Sequence, residues 1–172
     1  RADLKGFWQN LFVHKDALYL MGVTKEYGRV VIQRSTDGGY HWTTSILLDE
    51  LKYHTAPVPM LIHNQRIWRA MEATRRSRSW APCFEVFVLS ASLDADLLDA
   101  DSWTASKRIV PSAAWLEGAS GGWLEGNILL APDGNVINLL RVHTEGLPEK
   151  AAIVTYGPDG RDAAFDPQTD FV

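Results

Sequence analysis

Along most of the chain apolar and polar residues alternate over short runs, and the runs are interrupted by Gly, Asp, Asn and Lys. A period of two predicts strands, and no stretch keeps a 3.6-residue period with capping residues for more than a few positions. The expected strands are 10–14, 17–24, 29–34 and 41–47; then 58–63, 66–72, 83–91 and 102–110; then 127–131, 135–142, 151–156 and one beginning near Phe165. Superposing these three sets exposes a repeat. NLFVHKDALYLMGV, PMLIHNQRIWRAME and NILLAPDGNVINLLRV each read as an apolar strand, a tight turn and a second apolar strand. Trp42, Trp103 and Phe165 open the fourth strand of their sets. Four antiparallel strands repeating every 40 to 60 residues or so mark the blades of a β-propeller. The expected fold is therefore all-β, with about three blades over roughly 7–50, 55–112 and 122–172 forming a single partial propeller domain.

Composition narrows the function. The 172 residues, 46% hydrophobic, suffice for one packed domain. A net charge of -4, with no basic block beyond Arg75-Arg76-Ser77-Arg78, argues against a nucleic acid partner. No apolar run reaches the roughly 18 residues of a membrane span. The single cysteine, Cys83, leaves no internal disulfide and no cysteine-rich zinc site, and the five histidines show no metal-ligand spacing. Neither a metal nor a cofactor is expected. Without an initiating Met or a signal-like segment, the chain reads as a piece of something longer. Three blades do not close a ring, because propellers use about four to eight. The remaining blades, or a second copy, are expected to complete it.

The stretch Ser35-Thr36-Asp37-Gly38-Gly39-Tyr40-His41-Trp42 falls between the third and fourth strands of the first set. Its glycines supply positive φ and its aspartate accepts turn N–H groups, so Ser35, Asp37, Gly39 and Trp42 are read as structural. In a four-stranded meander, that turn and the first-to-second turn leave by one face; the second-to-third turns and the blade links leave by the other. Ligands meet near the propeller axis on this second face, which is built from the starts of first strands and the ends of second strands. There the repeat columns break. Leu20, Arg69 and Asn138 share one, and Val23, Glu72 and Arg141 share another. Charged groups in such slots either satisfy one another in a polar channel or form a sugar site, with carboxylates as acid and base and Arg and Trp as binders. On the second reading Glu125 and Glu72 are the catalytic candidates, and Arg69, Arg141, His54, Asn127, Trp123 and Trp8 the substrate-binding ones.

The pattern Ser-x-Asp-x-Gly-x-x-Trp is the Asp-box, or bacterial neuraminidase repeat, and it is complete here. Together with YHTAPVPMLIHNQRIWRAME and GWLEGNILLAPDGNVINLLRV, it makes nearly the whole chain resemble bacterial sialidase-like proteins. The resemblance implies a six-bladed propeller, of which this chain would be half. It also implies export, to the periplasm or outside the cell, and action on the terminal sugars of a glycan or glycoconjugate. Sialidases hold the substrate carboxylate with three arginines and use a Tyr-Glu nucleophile pair plus an Asp acid. Arg69 and Arg141 match part of the arginine set, and Glu72 or Glu125 the glutamate. The Phe/Tyr-Arg-Ile-Pro segment is missing, and no tyrosine is assignable as nucleophile.

Weaker motifs point elsewhere. Gly118-Ala119-Ser120-Gly121-Gly122 fits the Gly-x-Ser-x-Gly elbow, but strand sequence follows it where a helix is required. Asp94, Asp96, Asp99 and Asp101 lack the Gly and Glu of a calcium loop and read as a solvated turn. Arg75, Arg76 and Arg78, just before Trp80, form either an anionic-substrate rim or a solvated loop. Two function classes fit the sequence: a glycoside hydrolase, and a non-catalytic propeller binding glycans or proteins through Trp8, Trp123 and Trp80.

Overall fold

The computed structural model describes residues 6–74 and 84–172. Its strands are β1 (Phe7–His14), β2 (Ala17–Val23), β3 (Gly28–Ser35), β4 (Thr43–His54), β5 (Leu61–His63), β6 (Arg66–Thr74), β7 (Glu85–Ser92), β8 (Trp103–Ala105), β9 (Ser120–Leu130), β10 (Val136–Thr144), β11 (Lys150–Tyr156) and β12 (Ala163–Ala164). Every pairing is antiparallel, and three meanders result: β1 to β4, β5 to β8 and β9 to β12. The turns explain the hairpins. Lys15 and Asp16 link β1 to β2 with φ of 45° and 60°, and Asn64 and Gln65 link β5 to β6 with φ of 48° and 55°, the left-handed pairs that match strand twist. His14 and His63 stand just before these turns. The His14 ring is hydrogen-bonded to the Leu93 carbonyl through Nε2, at 2.9 Å, and the His63 carbonyl accepts the Trp68 indole N–H.

Several strands differ from expectation: β1 and β9 begin early, at Phe7 and Ser120, and β12 is the pair Ala163–Ala164, ahead of Phe165. β4 runs on to His54, and its last residues, Lys52–His54, pair with Glu72–Thr74 of β6. The first two meanders thereby share one eight-stranded sheet, while the third is a separate four-stranded sheet. β5 is cut to three residues because Pro57 and Pro59, just before it, have no N–H to give a ladder. β8 stops at Ala105 because Ser106 replaces a ladder bond with its side chain, whose Oγ accepts the Val88 N–H at 3.1 Å; only a single bridge, Val86 to Ile109, lies beyond. Arg75, Arg76, Arg78, Trp80 and Cys83 lie outside the described residues.

The core is two apolar layers with β6 between them. Ile67, Met71 and Ala73 of β6 pack toward the first meander with Met21, Ile32 and Tyr53. Trp68 and Ala70 pack toward the third with Trp123, Leu140 and Val154. The alternation dictates where the two charges of this strand go. Arg69, with odd-numbered neighbours, turns to the first meander; Glu72, with even-numbered ones, turns to the third. Both side chains are sealed from solvent. The Arg69 guanidinium donates to the carbonyls of Val58, Ala56 (2.6 Å) and Trp8 (3.4 Å). It thus substitutes for the ladder that the prolines deny. On the inner strands one repeat column stays uncovered: Val13, Ile62 and Leu130 are 66%, 55% and 46% exposed.

The turn after β3 is held by its own side chains. The Ser35 hydroxyl accepts the Gly39 N–H and donates to Asp37 Oδ1, both at 2.8 Å. Asp37 Oδ1 accepts the N–H groups of Tyr40 and His41, and Oδ2 meets His41 Nδ1 at 2.6 Å. Trp42 closes the loop by donating its indole N–H to the Gly39 carbonyl. Gly38 and Gly39, at φ of 74° and 95°, occupy positions that other residues adopt only under strain.

Three outcomes follow from these contacts. Ser35→Ala leaves a turn N–H without its acceptor and should lower unfolding free energy by about 1 to 2 kcal/mol, measured by urea melts. Arg69→Met removes the donor from three carbonyls and leaves Glu72 buried without its compensating charge, so a loss of about 3 kcal/mol or more is expected in the same assay. The donated bonds hold Asp37 well below the usual carboxylate range. Its contribution to stability is therefore complete above its unfolded-state value and is lost as pH falls through the lowered folded value. Carbon-13 titration should find Asp37 still ionised where ordinary aspartates are half protonated.

Candidate functional site

The first strands of the first and third meanders, β1 and β9, each carry a bulge at the same repeat position. In β1 the register jumps from Phe7–Val23 to Asn10–Met21, so Trp8 and Gln9 together oppose Gly22. In β9 it jumps from Leu124–Arg141 to Asn127–Leu139, so Glu125 and Gly126 together oppose Leu140. Trp8 and Glu125 take the left-handed conformation there, with φ of 49° and 57°, at a cost of about 1 to 2 kcal/mol each for an L-residue. Each bulge turns a backbone group toward β6. The first presents the Trp8 carbonyl to Arg69; the second presents the Gly126 N–H to Glu72 Oε1 at 3.0 Å. Gly126 must be glycine, because a Cβ there would stand 2.3 Å from Asn138 Oδ1.

The second oxygen of Glu72, Oε2, meets His54 Nδ1 at 2.8 Å. His54 is the last residue of β4, where the first meander hands the chain to the second. Its ring stacks on Phe84 at 5.1 Å and 16°, with Tyr27 of the β2–β3 turn at 6.2 Å and Phe7 at 6.5 Å. The imidazole keeps 8% side-chain exposure, whereas Glu72 keeps none. Nε2 makes no hydrogen bond among the described residues and is not among the sealed unpartnered atoms.

Glu125 takes the other side of the bulge. Its carboxylate is open to solvent and accepts a hydrogen bond from Arg141 Nη1 at 3.2 Å. Glu125 and Arg141 are therefore brought together as expected from the repeat. Glu72 stands apart from them, tied to the Glu125 bulge only through the Gly126 backbone. Asn127, half-buried, follows on the same strand, and Trp8 is 43% exposed.

Two expected ligand-binding residues are placed in structural surroundings. Arg69 spends its guanidinium on backbone carbonyls, and burial depresses it to about 10 against the opposing pull of Glu72. Trp123 is buried with both neighbours aromatic, Trp115 and Phe165, each at 5.0 Å, and its N–H donates to the Phe84 carbonyl. No face of that ring is open to stack on a sugar. Sequence reasoning passed over Phe84 and Tyr27, which frame His54, because nothing in their local pattern sets them apart from core aromatics. It placed Asn138 in a repeat column without giving it a role and passed over Tyr156; both are buried beside Gly126 and Glu72, with the Tyr156 hydroxyl near the Asn138 amide. Burial pushes the Tyr156 hydroxyl far above its ordinary value. The column shared by Asn138 and Arg69 was the signal available for the former.

The minor motifs resolve simply. Ser120 opens β9 after a tight turn at Trp115–Gly118, the reverse of the strand-then-helix order that an elbow nucleophile needs. Asp96 Oδ1 accepts the Leu98 N–H and the Arg34 guanidinium, and Asp99 caps Asp101. Among the described residues no group of three His, Cys, Asp or Glu side chains is placed to hold a metal ion, and no helix is long and apolar enough to cross a membrane.

No protein family and no curated protein matches the sequence. Solved structures do match the fold. The chain is similar to the sialidase of Trypanosoma rangeli with a TM-score of 0.61 at 12% identity, covering 95% of this chain and 30% of that one. It is similar to an α-L-arabinofuranosidase from Lactobacillus brevis with a TM-score of 0.62 at 16% identity, over 93% of this chain and 55% of that one. An exo-1,5-α-L-arabinanase from a bovine ruminal metagenomic library gives 0.58 at 11% identity, over 94% and 54%. All three are propeller enzymes that act on glycans, and this chain spans about a third to a half of their lengths. With its antiparallel four-stranded meanders, the chain has the fold of a partial β-propeller.

Proposed function

We propose that the intact protein is a glycan-active enzyme, an exo-acting glycoside hydrolase of sialidase-like type, working in the periplasm or outside the cell. Its substrate is a carbohydrate or glycoconjugate, and the ring is completed by further blades or a second copy. The observation that carries this reading is the Glu125 bulge. An acidic residue is held in the left-handed conformation, solvent-open, beside an arginine, and is anchored from behind by a buried carboxylate on the next residue's N–H. Strain of that kind persists where the surroundings fix it, and it aims a side chain where ordinary pleating would not. Arg141 sets a guanidinium 3.2 Å from the Glu125 carboxylate, the kind of group that serves as nucleophile or base at an anomeric centre. Asn127 and Trp8 are the ligand-side groups in reach of the same face. The alternative, a non-catalytic binding module, needs aromatic platforms, and with Trp123 in the core it loses the one nearest Glu125.

Aryl glycosides of several sugars, sialosides and arabinofuranosides included, should reveal turnover by the intact protein. Glu125→Gln should then lose at least about a hundredfold in kcat while its melting temperature stays within a few degrees of the parent. Near-normal turnover by that variant would remove Glu125 from the chemistry.

A further inference from the structure

Glu72 was expected to be one of two catalytic carboxylates, yet it is completely sealed and both its oxygens are engaged. It presents no oxygen to a ligand. What it does present is an oriented imidazole. Oε2 fixes His54 through Nδ1, Phe84 holds the ring flat by stacking, and Nε2 is left at the edge of the exposed surface. A histidine bonded to a buried carboxylate at one nitrogen and free at the other is arranged to pass a proton at the second nitrogen. The carboxylate fixes the tautomer and the orientation of the ring, as in hydrolase triads.

The same carboxylate reaches Glu125. One oxygen holds His54 and the other holds the N–H of the residue after Glu125, so Glu72 sets the position of both groups at once. We propose that His54 is the general acid of the site, paired with Glu125, and that Glu72 is the positioning residue between them; the assignment rests on the glycosidase reading above. In the step, the Nε2 proton moves to the glycosidic oxygen as the bond from that oxygen to the anomeric carbon breaks, its electron pair staying on the oxygen, while a water bonds to the anomeric carbon and passes its proton to Glu125, which later releases it to solvent. The neutral imidazole, still held by Glu72, regains a proton from solvent.

The groups facing His54 suit this role. Phe7 and Phe84 contribute no charge. From β6 comes the Glu72 carboxylate, with Arg69 three residues away acting on that carboxylate. From the β2–β3 turn comes the Tyr27 phenol, which burial and the neighbouring Glu26 hold in its neutral form. Among the described residues the carboxyl group in contact with the ring is that of Glu72.

Asparagine separates the proton from the scaffold. In His54→Asn the side-chain amide retains an N–H where Nδ1 was, so Glu72 keeps a partner, but nothing replaces Nε2. The test compares glycosides of one sugar with a poor leaving group, methyl or phenyl, against a 2,4-dinitrophenyl glycoside that departs without a proton. His54→Asn should lose about a hundredfold or more in kcat/KM on the poor leaving groups and less than about tenfold on the dinitrophenyl glycoside. The alkaline limb of the pH profile should vanish with it. The parent protein supplies a control that needs no variant: its alkaline limb should appear with the phenyl glycoside and be absent with the dinitrophenyl one. Equal losses on both leaving groups, or a limb that persists in His54→Asn, would overturn the role of His54 while leaving the enzyme reading intact. A parent protein that cleaves no glycoside of the panel would overturn both.

Discussion

Two opposite charges on one fully covered strand organise this molecule. Burying a guanidinium or a carboxylate without partners costs several kcal/mol, so each must find hydrogen bonds within reach. Because Arg69 and Glu72 lie three residues apart on β6, pleating sends them to opposite sides, and no compact pairing between them is available. Each draws its hydrogen bonds from groups outside the strand instead. Arg69 collects carbonyls from the β4–β5 link and the β1 bulge, and Glu72 collects the N–H of the β9 bulge and the ring of His54. The bulges are the complement of the charges: without an extra residue in β1 and β9, those backbone groups would face along their own ladders.

This arrangement accounts for what was legible in the sequence. The meanders were readable because alternation and paired turn residues such as Lys15-Asp16 and Asn64-Gln65 act locally, and the repeat aligned them. The polar columns were readable too, since Arg69, Glu72 and Arg141 replace aliphatics at fixed repeat positions. Their roles were not, because the column fixes the face a side chain takes and not the group it meets. Arg69 reads as a ligand-binding arginine until Pro57 and Pro59 are seen to leave carbonyls that only a side chain can satisfy. Trp123 reads as a sugar platform until Trp115 and Phe165 close over it, and both come from segments that look like linkers or strand starts. The β4 extension escaped notice because Asp49 and Glu50 break the alternation at a register shift before Leu51 and Tyr53 resume it.

The turn at Ser35 to Trp42 and the bulge at Glu125 to Gly126 show two uses of left-handed backbone. In the former, glycines take the conformation and the polar side chains are consumed within the loop, which leaves nothing directed outward except exposed rims. In the latter, a glutamate takes it, and the anchoring falls to a neighbour on another strand. The first is a self-contained fastening. The second depends on long-range contacts and so exists only when the meanders are docked.

The continuity of β4 divides the molecule unequally. Hydrogen-bonded ladders run from β1 through β8, while among the described residues no strand pairs across to β9 through β12, which are held by side-chain packing, the Trp123 and Gly126 bonds, and a few loop contacts. Apolar side-chain interfaces slide and separate more readily than strand ladders. The third meander is therefore the detachable part of the assembly, and the seam along which it joins passes between Glu72 and Gly126. Any slippage there reaches the candidate site before it disturbs the rest of the fold.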